Sequence, residues 1–485
     1  MFLGIDIGTS GVKAVCIAED GTLLAQATAP LAVSRPQPMW SVQDPDAWWQ
    51  ATEAAVLAID PAIRRDVRGI GIAGQMHGAT LLGADDRPLR PAILWNDGRS
   101  AAECAALTRD VPDLQAIAGN LAMPGFTAPK LLWVRDHEPD VFAATRTVLL
   151  PKDFVRLQMT GEKVSDMSDA AGTLWLDVGR RDWSGTLLAA TGLDLSHMPR
   201  LVEGSEVSAR LRADVAARWG MAAVPVAGGG GDNAAGAVGV GVVGEGDALL
   251  SLGTSGVIFV ATDAFRPNPA GAVHAFCHCL PETWHQMSVH LSAAACIDWV
   301  ARITGADGPP DVFDRAQAAG PGAGRELFLP YLSGERTPHN DPQVRAGFLQ
   351  LDNDSDAGRL SQAVLEGVAF ALADGLDALK DAGTQIARLA VIGGGARSRY
   401  WGRILSAAME TPLVYLRGGE VGPARGGARP AQLAIDGGTP RDVCQAPPVD
   451  HIVEPDADDV ALLAPKLAAF RAAYPRITPK DGTPA

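Results

Sequence analysis

Apolar and polar positions fall into short blocks along this chain, and each block predicts an element. Residues 2–6 are an apolar run of the kind a buried strand needs, Gly8-Thr9-Ser10-Gly11 reads as a tight turn, and residues 12–17 read as a second strand. Asp20-Gly21 turns the chain again into residues 22–25, so it opens as a β-meander. Asp44-Pro45 marks the start of an amphipathic helix over 46–59. Residues 67–73 predict another buried strand, running into Gly74-Gln75-Met76-His77-Gly78. In the second half, Val364, Val368, Leu372, Leu376 and Leu379 recur at helical spacing within 360–382. Residues 388–392 then read as a strand, followed by Gly393-Gly394-Gly395-Ala396-Arg397-Ser398 and a helix through Ala407. The tail is helical around 461–472, and its last dozen residues read as frayed.

The pattern also repeats. Asp6-Ile7-Gly8-Thr9-Ser10-Gly11-Val12 returns as Ser251-Leu252-Gly253-Thr254-Ser255-Gly256-Val257, about half a chain later and again between two apolar runs. Matching strand–turn–strand context at that spacing predicts a duplicated domain, with the boundary near Val243-Gly244-Glu245-Gly246. The units expected are 1–244 and 245–485, with the two turns facing each other across a cleft.

Composition narrows the class. At about 150 residues per domain, 485 residues predict two to four domains. The 56 acidic side chains outnumber 41 basic ones, for a net charge of −15. Such a surface repels nucleic acid and anionic lipid, so neither is an expected partner. Six cysteines (16, 104, 277, 279, 296 and 444) are too sparse for a disulfide framework, and reduced thiols are expected. The first residues carry no signal-peptide pattern, and no apolar run approaches the roughly 18 residues of a membrane span. A soluble, cytoplasmic enzyme is the expectation.

The candidate chemistry sits where strands end. Three glycine-rich turns (8–11, 253–256 and 393–395) let backbone amides approach phosphate oxygens, with Thr and Ser hydroxyls as added donors. An ordinary hairpin explains one such turn; three point to a nucleotide. None ends in the Gly-Lys-Ser/Thr of a P-loop, and none is a clean Gly-x-Gly-x-x-Gly before a helix. Asp6, beside the first turn, suits Mg2+ held through water, and Ser251 replaces it in the second copy. Gly228-Gly229-Gly230-Gly231 clears space ahead of Asp232 and Asn233. An Asp there either caps a helix or takes the proton of a hydroxyl that attacks phosphorus. Gln75, Met76 and His77 follow a strand between two glycines, where Gln and His suit hydroxyl recognition. Trp95-Asn96-Asp97-Gly98-Arg99 likewise ends a strand with polar groups around one aromatic. His274, Cys277, His278, Cys279 and His285 are too compact for a usual structural zinc site, and zinc is not expected.

Taken together, these segments resemble the FGGY carbohydrate kinases from residue 1 to about 475. Gly4-Ile5-Asp6-Ile7-Gly8-Thr9-Ser10 and Ser251-Leu252-Gly253-Thr254-Ser255 are similar to the family's two phosphate motifs, and residues 393–398 to its adenosine motif. Residues 125–134 fit its first signature. Gly74-Gln75-Met76-His77-Gly78 resembles the members that act on xylulose rather than the glycerol kinases, which carry Arg-Glu there; Ser165–Ala170 and Leu332–Pro338 resemble the same branch. The resemblance implies an α/β fold of two actin-like, ribonuclease-H-like ATPase domains flanking a catalytic cleft. It implies ATP and Mg2+ as cofactors, a small sugar as partner and a homodimer. The implied reaction is phosphorylation of D-xylulose to D-xylulose 5-phosphate, with ribulose or another ketose or polyol as the alternative acceptor. A more distant alternative is an actin-like ATP-binding switch. Asp232 corresponds to the catalytic base, Asp6 to the carboxylate near Mg-ATP, and Met76, His77, Gln75 and Asn233 to the sugar site. Gly8, Thr9, Ser10, Gly253, Thr254, Ser255, Gly393, Gly394 and Gly395 fall to the nucleotide. Three positions depart from the pattern: Gln350 stands where Gly is usual, Arg359 where an acid or amide is usual, and Pro430 is expected to kink or delay a helix. Residues 418–422 resemble a nucleotide-side loop, so the cost is expected in ATP affinity.

Overall fold

The computed structural model describes residues 1–417 and 422–477. Most of the 418–422 loop, and the end of the tail expected to fray, lie outside the described residues. The opening meander forms as the pattern predicts: β1 (Phe2–Ile7), β2 (Gly11–Ile17) and β3 (Leu23–Pro30) pair antiparallel in order. β4 (Gly69–Gly74) runs parallel to β1. β5 (Val207–Arg210), β6 (Pro225–Ala227) and the short β7 (Gly230–Gly231) complete a sheet of order β5-β6-β4-β1-β2-β3, with β7 against β4.

A second sheet follows from β8 (Ala248–Leu252), β9 (Gly256–Thr262), β10 (His274–Cys277), β11 (Trp284–His290), β12 (Leu389–Ile392), β13 (Leu413–Leu416) and β14 (Val449–Val453). Its order is β14-β13-β12-β8-β9-β11-β10. Here β8, β9 and β11 take the places of β1, β2 and β3, while β12 and β13 take those of β4 and β6. Each of these pairings keeps its parallel or antiparallel sense. The short sequence repeat therefore marks two sheets of one topology, the paired α/β architecture of actin-like ATPases. The copies differ in one detail: Asp6 faces Lys13 across the first hairpin, whereas Ser251 faces Val257 across the second, which closes one residue tighter.

Helices cover these sheets. Those that bear on the site are α1 (Pro45–Leu57), α2 (Pro151–Thr160), α3 (Met167–Ala171), α4 (Asp232–Gly239), α5 (Ala357–Asp381), α6 (Arg399–Met409) and α7 (Pro423–Asp436). The alternation of β1 and β2 sends Leu3, Ile5, Val12 and Ala14 into a core with Trp48 of α1 and Phe154 of α2. The opposite face, with Phe2, Val15 and Ile17, packs on Ala424, Ala428 and Ala431 of α7. Contact there is backbone to backbone. A Cβ at Gly4 would lie 1.8 Å from the Ala424 carbonyl oxygen, and one at Gly71 would lie 1.9 Å from that of Gly427. In the second sheet, Leu250, Leu252 and Val391 pack beneath α5 and α6.

Pro430 corrects an expectation. α7 starts upstream at Pro423 and runs through Pro430 to Asp436, so the helix is not delayed. An interior proline costs about 3 kcal/mol, and tertiary packing offsets it here. The alanine face seats on β1 and β2, and Arg429 and Gln432 donate to the Glu19 carbonyl at 3.2 and 2.9 Å. Gln350 has φ of +60°, the left-handed region that glycine enters without strain, which gives the family's usual residue its physical reason. Arg359 lies in the first turn of α5, its amide capped by Asp356 at 2.9 Å.

Candidate functional site

The ends of β1, β4 and β7 bring together segments that are far apart in sequence. Ile7 pairs with Gly74, and Gly230 and Gly231 pair with Ala73 and Gly74. Asp6, Gly74–Gly78 and Asp232 therefore meet at one edge of the first sheet, where parallel sheets hold ligands. Asp232 does not cap α4. Gly231 holds the cap position, and Asp232, the first helical residue, accepts from Asn233 N at 2.8 Å and Asn233 Nδ2 at 2.9 Å. Burial pushes the Asp232 carboxyl up to about 6 even though the Asn233 bonds pull it down. Asp6 is pushed up to about 7 by burial and by the charge of Asp232, which outweigh Lys13. Its Oδ1 is buried with no hydrogen-bond partner, the condition a hydrated cation would satisfy.

The Gly74–Gly78 segment divides in two. Gln75 is 2% exposed, accepts from Thr9 Oγ1 at 3.0 Å and donates to Gln43 Oε1 at 3.0 Å. It braces the first turn, with both ends of its amide bonded within the protein. Thr9 is spent in the same way, because its hydroxyl also accepts from Trp95 Nε1 at 3.0 Å. The turn closes through Gly8 N on the Gly11 carbonyl at 3.0 Å and leaves Ser10 exposed. Met76 is buried, with its Sδ 4.0 Å from Asn233 Nδ2. His77 takes φ of +68°, and its ring meets Phe126 edge-on and Phe276 at a tilt. Its Nδ1–H donates to the Gly172 carbonyl at 2.6 Å, so Nε2 is left as an acceptor. Burial, reinforced by Lys130 and Arg336, lowers the ring to about 3, so it stays neutral.

The other two turns gather at the second sheet. Gly253 N donates to the Ser255 carbonyl at 3.0 Å, and the Thr254 and Ser255 side chains are exposed. Gly393, at φ of +92°, lies over β8: a Cβ there would sit 2.6 Å from the Leu252 carbonyl oxygen. Gly394 and Gly395 continue into a 3-10 turn, and Ser398 caps α6 by accepting from Trp401 N at 3.2 Å.

Other groups complete the site. Lys130 donates to the His77 carbonyl at 2.9 Å and the Gly125 carbonyl at 2.7 Å, and burial lowers its ammonium to about 7. Arg336, from the second half, donates to His274 Nε2 at 3.0 Å, and His274 Nδ1–H donates to Asn120 Oδ1 at 2.9 Å. Composition gave no signal for these contacts; only the family-like segments containing Lys130 and Arg336 could have drawn attention to them. The rings of His278 and His285 pack on Phe259. Among the described residues no group of three or more His, Cys, Asp or Glu could hold a metal ion.

Comparison with known proteins now supplies the class. The N-terminal domain of the FGGY family of carbohydrate kinases matches residues 1–239 and its C-terminal domain matches residues 248–435. The chain belongs to this family, and the class implies ATP as the phosphoryl donor. The chain is 53% identical over 481 residues to the xylulose kinase of Escherichia coli strain K12, covering 99% of each. It is 36% identical over 435 residues to that of Bacillus subtilis strain 168, covering 88% of this chain and 86% of the other. A crystal structure described as a xyloylose kinase from Brucella ovis superposes with a TM-score of 0.95 at 50% identity, over 98% of this chain and 99% of that one.

Proposed function

We propose that this protein transfers the γ-phosphoryl group of ATP to O5 of D-xylulose, giving D-xylulose 5-phosphate. The observation that carries the reading is Asp232. Its carboxylate ends a four-glycine segment, has no cation paired with it among the described residues, and sits at the same sheet edge as His77 in a chain 53% identical to a xylulose kinase. In this reading residues 1–244 hold the sugar and supply the base, and residues 245–485 hold ATP. α7 is the exception to that division, because it packs on the first sheet.

Asp232 accepts the O5 proton as O5 attacks the γ-phosphorus in line, and the ADP oxygen leaves. A base raised to about 6 is ionised at neutral pH yet more basic than a free carboxylate. His77 Nε2 accepts a hydrogen bond from a sugar hydroxyl, with Met76 packing beside it and Asn233 holding the base. Amides of the 8–11 and 253–256 turns, with Ser10, Thr254 and Ser255, stabilise charge on the phosphates. Asp6 would hold Mg2+ through water, and the ion would neutralise phosphate charge when bound.

Among the described residues no helix is long and apolar enough to cross a membrane. All six cysteines are free and buried, in keeping with a reducing cytoplasm, where we place the enzyme. A homodimer is the assembly that the family resemblance suggests. Steady-state phosphorylation across ketoses and polyols tests the substrate. D-xylulose should give the highest kcat/KM, and a higher value for D-ribulose would overturn the assignment.

A further inference from the structure

Beneath the loops that carry Asp232 and His77 lies a dry cluster of charge with no part in the proton transfer itself. Lys152, in the first turn of α2, is fully buried, with Nζ 2.5 Å from Asp153 Oδ1, 2.8 Å from Asp166 Oδ1 and 3.2 Å from Asp169 Oδ2. Arg156, one turn on and equally buried, donates to the Ser208 hydroxyl and the Ala227 carbonyl at 2.6 Å each, and to the Gly228 carbonyl. Burial works against the Lys152 ammonium, and the three carboxylates more than reverse it. Burial raises the Asp169 carboxyl well above its usual range despite Lys152. Apolar packing of the same volume often serves stability as well or better.

The cluster holds α3, and α3 reaches both loops. At its start Asp166 caps the helix and accepts from the Ser168 hydroxyl at 2.5 Å, while Ser168 Oγ accepts from Gly231 N at 3.0 Å. Gly231 is the residue before Asp232. At its end Gly172 presents the carbonyl that accepts from His77 Nδ1 at 2.6 Å. Lys152 also underlies the second loop, its Cβ lying 3.0 Å from where a Cβ on Gly74 would be.

We propose that Ser168 is a positioning residue and that α3, pinned by Lys152, is a gauge fixing the separation of Asp232 from His77. The inference rests on reading Asp232 as the base. Without the Ser168 hydroxyl, Gly231 N loses its partner and the start of α4 is free to shift, carrying Asp232 off the line to O5. A misplacement of about 1 Å can cost on the order of a hundredfold in rate.

The test compares Ser168→Ala, Asp232→Asn and the double variant, with rates scaled to folded enzyme by ATP-binding stoichiometry. Ser168→Ala should lower kcat about ten- to a hundredfold with KM for ATP within about twofold, and should move the acid limb of kcat to lower pH as water reaches Asp232. In the Asp232→Asn background the same change should cost almost nothing further, because the two act as one unit. A kcat within about twofold of wild type, an unmoved acid limb, or full additivity in the double variant would overturn the gauge. Substantial turnover in Asp232→Asn would instead remove the base assignment itself, so the two failures are told apart.

Discussion

Asp232 and Asp6 are electrostatic neighbours: the charge of Asp232 helps hold the Asp6 carboxyl at about 7, although Asp6 lies one residue before the end of β1 and Asp232 begins α4. Two half-buried acids at one end of the first sheet serve different ends if one takes a proton and the other faces a cation. Asp232→Asn should therefore abolish phosphoryl transfer, by at least about a hundredfold, while sugar affinity measured by calorimetry changes little. Retention of a tenth of the turnover would remove Asp232 from the base role.

The pH profile follows from the same pair. Asp232 is active only when ionised, so kcat/KM for the sugar should rise with pH through about 6 and level off above 7. Because the two acids interact, the limb belongs to the pair and not to either residue alone. His77, lowered to about 3, should add no inflection between pH 5 and 8. An acid limb near 4 would show that burial does not raise the working base.

Asp6 should move stability and activity in opposite directions. Its folded carboxyl is raised, so the stability it lends is full below its unfolded value near 4 and is lost as pH rises through about 7. At pH 8 without nucleotide, Asp6→Asn should therefore raise the melting temperature, by about 2–4 °C for each kcal/mol of relief. The same change should weaken productive use of Mg-ATP more than sugar affinity. Calorimetry and magnesium titrations of turnover check both halves, and normal magnesium dependence would remove Asp6 from the cation.

His77→Ala should cost about 1–3 kcal/mol in kcat/KM for D-xylulose, roughly ten- to a hundredfold, by leaving one sugar hydroxyl unpaired. The loss should be smaller for a ketose whose hydroxyl there points elsewhere. ATP affinity without sugar should hold, since the phosphate turns are separate segments. An equal loss for every ketose, with a lowered melting temperature, would mark His77 as packing for Phe126 and Phe276.

Much of this architecture was legible in the sequence, for a physical reason. A strand buried on both faces must be a continuous apolar run, and a turn that admits phosphate must be glycine-rich, so β1, β8 and their turns stood out. The one-residue difference between the hairpins was not legible, because both turns read Gly-Thr-Ser-Gly while their registers are set by the strands around them. The bracing by Gln75 was not legible either, because only tertiary contact brings its amide to Thr9 and Gln43. Pro430 read as a kink or a delay because local rules carry no knowledge of the sheet beneath α7. The Lys152 cluster escaped notice because lysine and aspartate are assigned to the surface until a fold buries them together.

The seating of α7 on β1 and β4 has a consequence for biosynthesis. The strands under it belong to the first 74 residues to leave the ribosome, and their cover is not made until residues 423–436. Through most of translation the first sheet can bury one face but not the other. Its exposed side is Phe2, Val15 and Ile17 alongside bare glycine backbone. A nascent chain in that condition invites sticky encounters, so the first half of the molecule matures last in one respect, waiting on a helix from the second.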